Sequence, residues 1–134
     1  MDLDIWVDGE KMEGTFILAL ATNIHLYAGG LAEISPSAKL DDGRMDLWLF
    51  SGDSMLEILQ HLFDLAAGKH LDSENTIQKS CQNIKIQSNT ELCLQLDGEP
   101  IPSSKTVNIS MEPESLKVMV PNDMPRSLFM KNPL

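Results

Sequence analysis

One helical stretch sits inside a chain that otherwise alternates apolar and polar residues with period two, and this order constrains the fold more than any other feature. Ser54 with Glu57 three residues on forms a capping box, and Met55, Leu56, Ile58, Leu59, Leu62, Phe63 and Leu65 follow at helical spacing. Gly68 is placed to stop the helix, which is predicted from Ser54 to Ala67. Before it, Leu3, Ile5 and Val7 alternate with Asp4 and Trp6 and run into Asp8-Gly9, a hairpin dipeptide because both residues tolerate positive φ. Thr15 to Ala21 is a nearly continuous apolar run, as in a strand covered on both faces, and Met45, Leu47 and Leu49 alternate with Asp46, Trp48 and Phe50.

After the helix the pattern is strand-like throughout: Ile84 and Ile86; Leu92, Leu94 and Leu96; Val107, Ile109 and Met111; Leu116, Val118 and Val120. Repeated strand-helix-strand units are absent, so the expected fold is mainly β, an antiparallel β-sandwich with one α-helix. At 134 residues the chain fits a single domain, 1–134, able to bury about two thirds of its unfolded surface without staples. Pro121 to Leu134 carries three prolines and reads as extended coil, free to pack against something else.

Charge narrows the choice of partners. Ten Lys plus Arg against twenty Asp plus Glu give a net charge of -10, which repels nucleic acid and anionic headgroups, and no basic patch offsets it. No apolar run approaches the roughly 18 residues of a membrane span, and Met1 is followed at once by an alternating strand pattern rather than a secretion signal, so a cytoplasmic location is expected. Cys81 and Cys93 lack metal spacing, and both read as reduced structural thiols.

Three loops carry candidate chemistry: Asn23 to Gly30, Ser35 to Met45 and Asp97 to Pro102. Gly29-Gly30 permits a close backbone approach or makes a plain turn. Asp41-Asp42-Gly43 offers hard oxygen donors on a tight turn, suited to Mg²⁺ or Ca²⁺, or else is a solvated turn; it lacks the alternating ligands of an EF-hand. Asp97-Gly98-Glu99 follows directly on the Leu92 to Leu96 strand and is either an aimed pair of carboxylates or a hairpin turn with exposed acids. His25, His61 and His70 form no triad and no nucleophile motif accompanies them, so each reads as structural.

Read in order, these loops gain a meaning that none has alone. N-x(5)-G-G, then P-x-A-x-L-D-D-G-x-M-D-L from Pro36 to Leu47, then L-D-G-E-P from Leu96 to Pro100, then M-E-P-E-S-L-K-V-M-V-P from Met111 to Pro121 resemble the C-terminal half of the diacylglycerol kinase, sphingosine kinase and YegS-type lipid kinases. The resemblance covers about Thr15 to Pro121 and implies transfer of the ATP γ-phosphate to a lipid hydroxyl such as that of diacylglycerol, a step in phospholipid biosynthesis. It makes Glu99 the general base, with Asp97 as the alternative or a supporting acid. It also implies a structural Mg²⁺ held by the Asp42 side chain and the backbone carbonyls of Lys39 and Arg44. The family's glycine triplet reads Ala28-Gly29-Gly30 here.

In that family ATP sits in an N-terminal domain marked by G-G-D-G-T, a motif this sequence does not contain. The expectation is a lipid-acceptor domain that is inactive alone, partnered by a nucleotide-binding kinase domain and a lipid substrate, with peripheral membrane contact. An uncovered apolar face or sheet edge would favour a homo-oligomer. The alternative is a stand-alone, non-catalytic β-sandwich that binds lipid or a partner. A self-contained hydrolase using Asp97 and Glu99 is disfavoured, because adjacent loop acids are not opposed carboxylates.

Overall fold

A computed structural model of the chain describes residues 3–27, 32–121 and 123–130. Its centre is a strand whose both faces are covered, Met45–Ser51, in which Met45 through Phe50 are all buried. In chain order the strands are β1 (Leu3–Val7), β2 (Glu10–Lys11), β3 (Phe16–Thr22), β4 (Leu26–Tyr27), β5 (Ala32–Glu33), β6 (Met45–Ser51), β7 (Thr76–Cys81), β8 (Asn83–Leu96) and β9 (Glu99–Ser110), with helix α1 (Met55–Ala66) between β6 and β7. One antiparallel sheet has the order β2-β1-β8-β9, a second β3-β6-β7, and β4 pairs with β5 in a short ribbon.

The main core lies between the two larger sheets. Ile5, Val7, Ile84, Ile86 and Leu92 from one sheet cluster with Phe16, Met45, Leu47, Leu49 and Cys81 from the other. On the opposite face of the second sheet, Trp48 and Phe50 pack with Ile34, flanked by Leu18, Leu20 and Leu65 of α1. The expected antiparallel β-sandwich with one helix is therefore the fold, with α1 and the Ile34 loop as an added layer. Among the described residues no helix is long and apolar enough to cross a membrane.

Local signals act as the sequence implies. Asp8 and Gly9 both have positive φ and join β1 to β2, with Val7 opposite Glu10. The Ser54 side chain accepts the Glu57 amide and the Glu57 carboxylate accepts the Ser54 amide, completing the capping box, and Gly68 in the left-handed region follows the helix end.

Four expectations need correction. Thr15 to Ala21 is not fully covered: β3 is an edge strand, and of its residues Phe16 alone is fully buried, although Ala19 and Ala21 touch one core and Leu18 and Leu20 the other. Ile84 to Leu96 is one 14-residue strand, with register shifts between Gln87 and Leu92 and between Leu92 and Leu94. β1 pairs with it only as far as Ser88, and Leu96, at its far end, is 63% exposed instead of facing the core. The stretch Leu116 to Val120 joins no ladder, since alternation makes a strand only where an edge is available; Leu116, Val118 and Met119 are exposed. In addition, Thr76–Cys81 is a strand that alternation did not signal, because its middle residues Gln78, Lys79 and Ser80 are all exposed while Ile77 and Cys81 near its two ends reach the core.

Candidate functional site

The Asp41-Asp42-Gly43 turn leads into β6 and is tied down from two sides. From the sheet, Asp42 Oδ1 accepts the Arg44 amide at 2.9 Å, and Gln82 Nε2 donates to the Gly43 carbonyl at 3.2 Å. The Arg44 guanidinium turns away from the turn, donating to Ser80 Oγ at 2.9 Å and to the Ser80 carbonyl at 2.6 Å, and lies 3.7 Å from Asp8. From the C-terminal tail, the Leu40 amide donates to the Leu128 carbonyl at 2.9 Å, the Met130 amide to Asp41 Oδ1 at 2.6 Å, and Lys39 Nζ to the Ser127 carbonyl. Gly43 has φ +70, and a Cβ there would stand 3.0 Å from Pro113 Cγ, so the turn and the Met111-Glu112-Pro113 stretch are packed against each other.

Lys39, Asp42 and Arg44 thus share one turn. Among the described residues no group of three or more His, Cys, Asp or Glu side chains could hold a metal, so any cation here would rely on one carboxylate and main-chain oxygens. The donor set fits a hard cation: both nearby cationic side chains are directed elsewhere, to Ser127 and to Ser80.

Behind the turn lies a polar network that the sequence pattern concealed. Ser35, fully buried, donates its hydroxyl to Asp46 Oδ2 and accepts the Trp48 Nε1 proton at 3.3 Å. Asp46 was placed with Trp48 and Phe50 on one face of a strand. Two large apolar residues beside it were the signal that this face is not solvated. Two histidines hold the same loop: His70 Nε2 is 2.9 Å from the Ile34 carbonyl and His25 Nε2 is 2.6 Å from the Ala38 carbonyl. His61 meets the Ser51 carbonyl at 2.8 Å. A carbonyl only accepts, so each Nε2 carries the proton, and all three histidines have structural roles.

Asp97 and Glu99 stand at the other end of β8. Asp97 (φ 49) and Gly98 (φ 93) form a two-residue hairpin turn, and Glu99 is the first residue of β9, paired with Leu96. Both acids are exposed. The two candidate loops are therefore at opposite ends of a 14-residue strand, since Gln82, next to Asn83 at its start, touches Gly43. The Gly29-Gly30 turn lies outside the described residues.

A two-sheet antiparallel sandwich with an Asp-Asp-Gly turn at one end of its longest strand and an Asp-Gly-Glu hairpin at the other defines a narrow structural class. The chain belongs to the YegS C-terminal NAD kinase beta sandwich-like domain family, whose model matches residues 1–120. It is 26% identical over 98 residues to the diacylglycerol kinase of Bacillus subtilis (strain 168), covering 73% of this chain and 32% of that protein. It is 34% identical, also over 98 residues, to "Probable lipid kinase YegS" of Escherichia coli (strain SMS-3-5 / SECEC), covering 73% of this chain and 31% of that one. The fold is shared with a diacylglycerol kinase from Bacillus anthracis str. Sterne, at TM-score 0.58 and 19% identity over 83% of this chain and 39% of the other. The chain spans about a third of the length of the curated relatives it matches.

Proposed function

We propose that this chain is the lipid-acceptor domain of a lipid kinase, working with a nucleotide-binding domain to transfer the γ-phosphate of ATP to the hydroxyl of a diacylglycerol-like lipid. The observation that carries the reading is the family match over residues 1–120, with Asp97-Gly98-Glu99 at the tip of the β8-β9 hairpin. In the proposed step the lipid oxygen forms a bond to the γ-phosphorus, the bond to the β-γ bridging oxygen breaks, and ADP leaves with the electron pair. Glu99 accepts the hydroxyl proton, with Asp97 as supporting acid. Desolvation and neighbouring charge are what tune a carboxylate to such work, and Glu99 stands in solvent, so the reading needs a second surface to close over the hairpin. Positioning and charge neutralisation around the nucleotide dominate phosphoryl transfer, which is why the chain by itself is expected to be inactive.

In the same reading Asp42 and the carbonyls of Lys39 and Arg44 hold Mg²⁺. The cation would supply positive charge that fixes the turn. Its distance along β8 from Glu99 suits a structural role. Asp42→Ala should lower the melting temperature in Mg²⁺ but not in chelator, because a ligand bound by the folded state alone stabilises it by mass action.

The deciding experiment replaces the matching C-terminal part of the Bacillus subtilis diacylglycerol kinase with this chain and assays phosphatidate formation from ATP and diacylglycerol in vesicles. Activity in the chimaera, with none from the 134-residue chain alone, supports the reading. A chimaera that folds and binds ATP yet makes no phosphatidate rejects it.

One observation favours a second reading, a non-catalytic sandwich that binds lipid or a partner. Leu56, Leu59, Leu62 and Phe63 of α1 are exposed on an arc beside the one that packs Leu65 inward. That reading predicts vesicle or partner binding by the isolated chain with no activity in the chimaera.

A further inference from the structure

The two adjacent aspartates of the turn have different partners. Asp42 folds back on its own loop, accepting the Arg44 amide, whereas Asp41 reaches across to the tail and accepts the Met130 amide. Residues 39, 40 and 41 are each bonded to the segment 127–130: Lys39 to Ser127, Leu40 to Leu128, Asp41 to Met130. Residues 43 and 44 are bonded to Gln82 and Ser80 at the sheet. The first half of the loop is thus held by the tail and the second half by the sheet.

We propose that Ser127–Met130 is a strap that shapes the Lys39–Arg44 loop for cation binding, with Asp41 as its latch and Asp42 as the ligand. This rests on the metal reading above. The Lys39 carbonyl belongs to the half of the loop that the tail holds, so releasing the tail frees a proposed ligand while Asp42 stays anchored through Arg44. A loop that must be ordered on binding gives up affinity in proportion to the freedom lost, so a preformed loop binds more tightly. Coupling is reciprocal: a cation that favours the strapped loop must also favour the docked tail. Asp41 is then a positioning residue, and its carboxylate charge strengthens the bond to the Met130 amide.

The test compares the wild-type protein with Asp41→Ala, with a chain ending at Arg126, and with Asp41→Asn, which keeps an acceptor oxygen. In chelator, the Leu40 amide should exchange with deuterium about tenfold faster in Asp41→Ala and in the shortened chain, with protection largely restored in Asp41→Asn. Equal exchange in all of them overturns the strap. In Mg²⁺ titrations followed by melting temperature, the Mg²⁺ midpoint should rise about tenfold in the same two variants. A midpoint unchanged in both overturns the positioning role. Asp42→Asn should abolish the Mg²⁺ response while leaving Leu40 protected in chelator, which separates ligand from latch; loss of both together contradicts the division of labour. If the wild-type melting temperature ignored Mg²⁺, the metal reading would fall, whereas the exchange comparison in chelator would still decide the strap.

Discussion

The Asp8 carboxylate accepts the Asn83 amide at 2.8 Å and the Gln82 amide at 3.0 Å, tying the β1-β2 turn to the start of β8 across 75 residues of sequence. The Asn83 and Gln82 amides, followed by the Arg44 charge, hold the Asp8 carboxyl below its ordinary value of 3.8. A carboxyl whose folded-state value is depressed stabilises the fold above its unfolded value, and that contribution is lost as pH falls through the folded value. Melting temperature should therefore fall as pH drops below about 4, and Asp8→Asn should be less stable than wild type at neutral pH but lose less on acidification. Parallel pH profiles for the two proteins would contradict this role.

Asp46 anchors buried polar groups, so removing it exposes no solvent to replace them. Asp46→Ala leaves the Ser35 hydroxyl without its acceptor and should cost about 1 to 3 kcal/mol in denaturant unfolding. A loss indistinguishable from a surface substitution would mean that Ser35 and Trp48 find other partners.

The two cysteines should differ sharply in reactivity. Burial, the largest influence, pushes the Cys81 thiol up to about 11, whereas Cys93 is exposed on β8. A thiol reagent at pH 8 should modify Cys93 in the native protein and reach Cys81 only on unfolding, because the thiolate is the reactive form. Rapid modification of both would show that the core around Cys81 opens readily.

Along β8 the cost of truncation should decline toward the hairpin. Leu92→Ala should cost roughly 2 to 5 kcal/mol, Leu94→Ala less, and Leu96→Ala little, following their burial. A Leu96 cost equal to that of Leu92 would place the hairpin tip against a surface in the folded protein.

Much of the sandwich was legible because its signals are local. The capping box at Ser54 and the Asp8-Gly9 turn act through residues a few positions apart, and alternation from Leu3 to Val7 reports one buried face directly. What escaped was decided by distant partners. Alternation in Leu116 to Val120 says nothing of whether a sheet edge is available, and Leu96 reads like Leu92 although one is exposed and the other buried. The Asp-Asp-Gly turn was legible as a unit. Which of its aspartates would bind the tail was not, since Met130 lies 89 residues away. The Asp-Gly-Glu loop proved tighter than a loop, with Glu99 already in the β9 ladder.

The central claim concerns Glu99, and turnover in the chimaeric kinase tests it most directly. Glu99→Gln should cut the rate of phosphatidate formation by about 10² to 10⁴ while ATP binding and melting temperature stay close to those of the parent. The same change at Glu112, an exposed acid just beyond β9, should leave turnover unaltered. Near-parental turnover in Glu99→Gln would contradict the assignment of Glu99 as the proton acceptor.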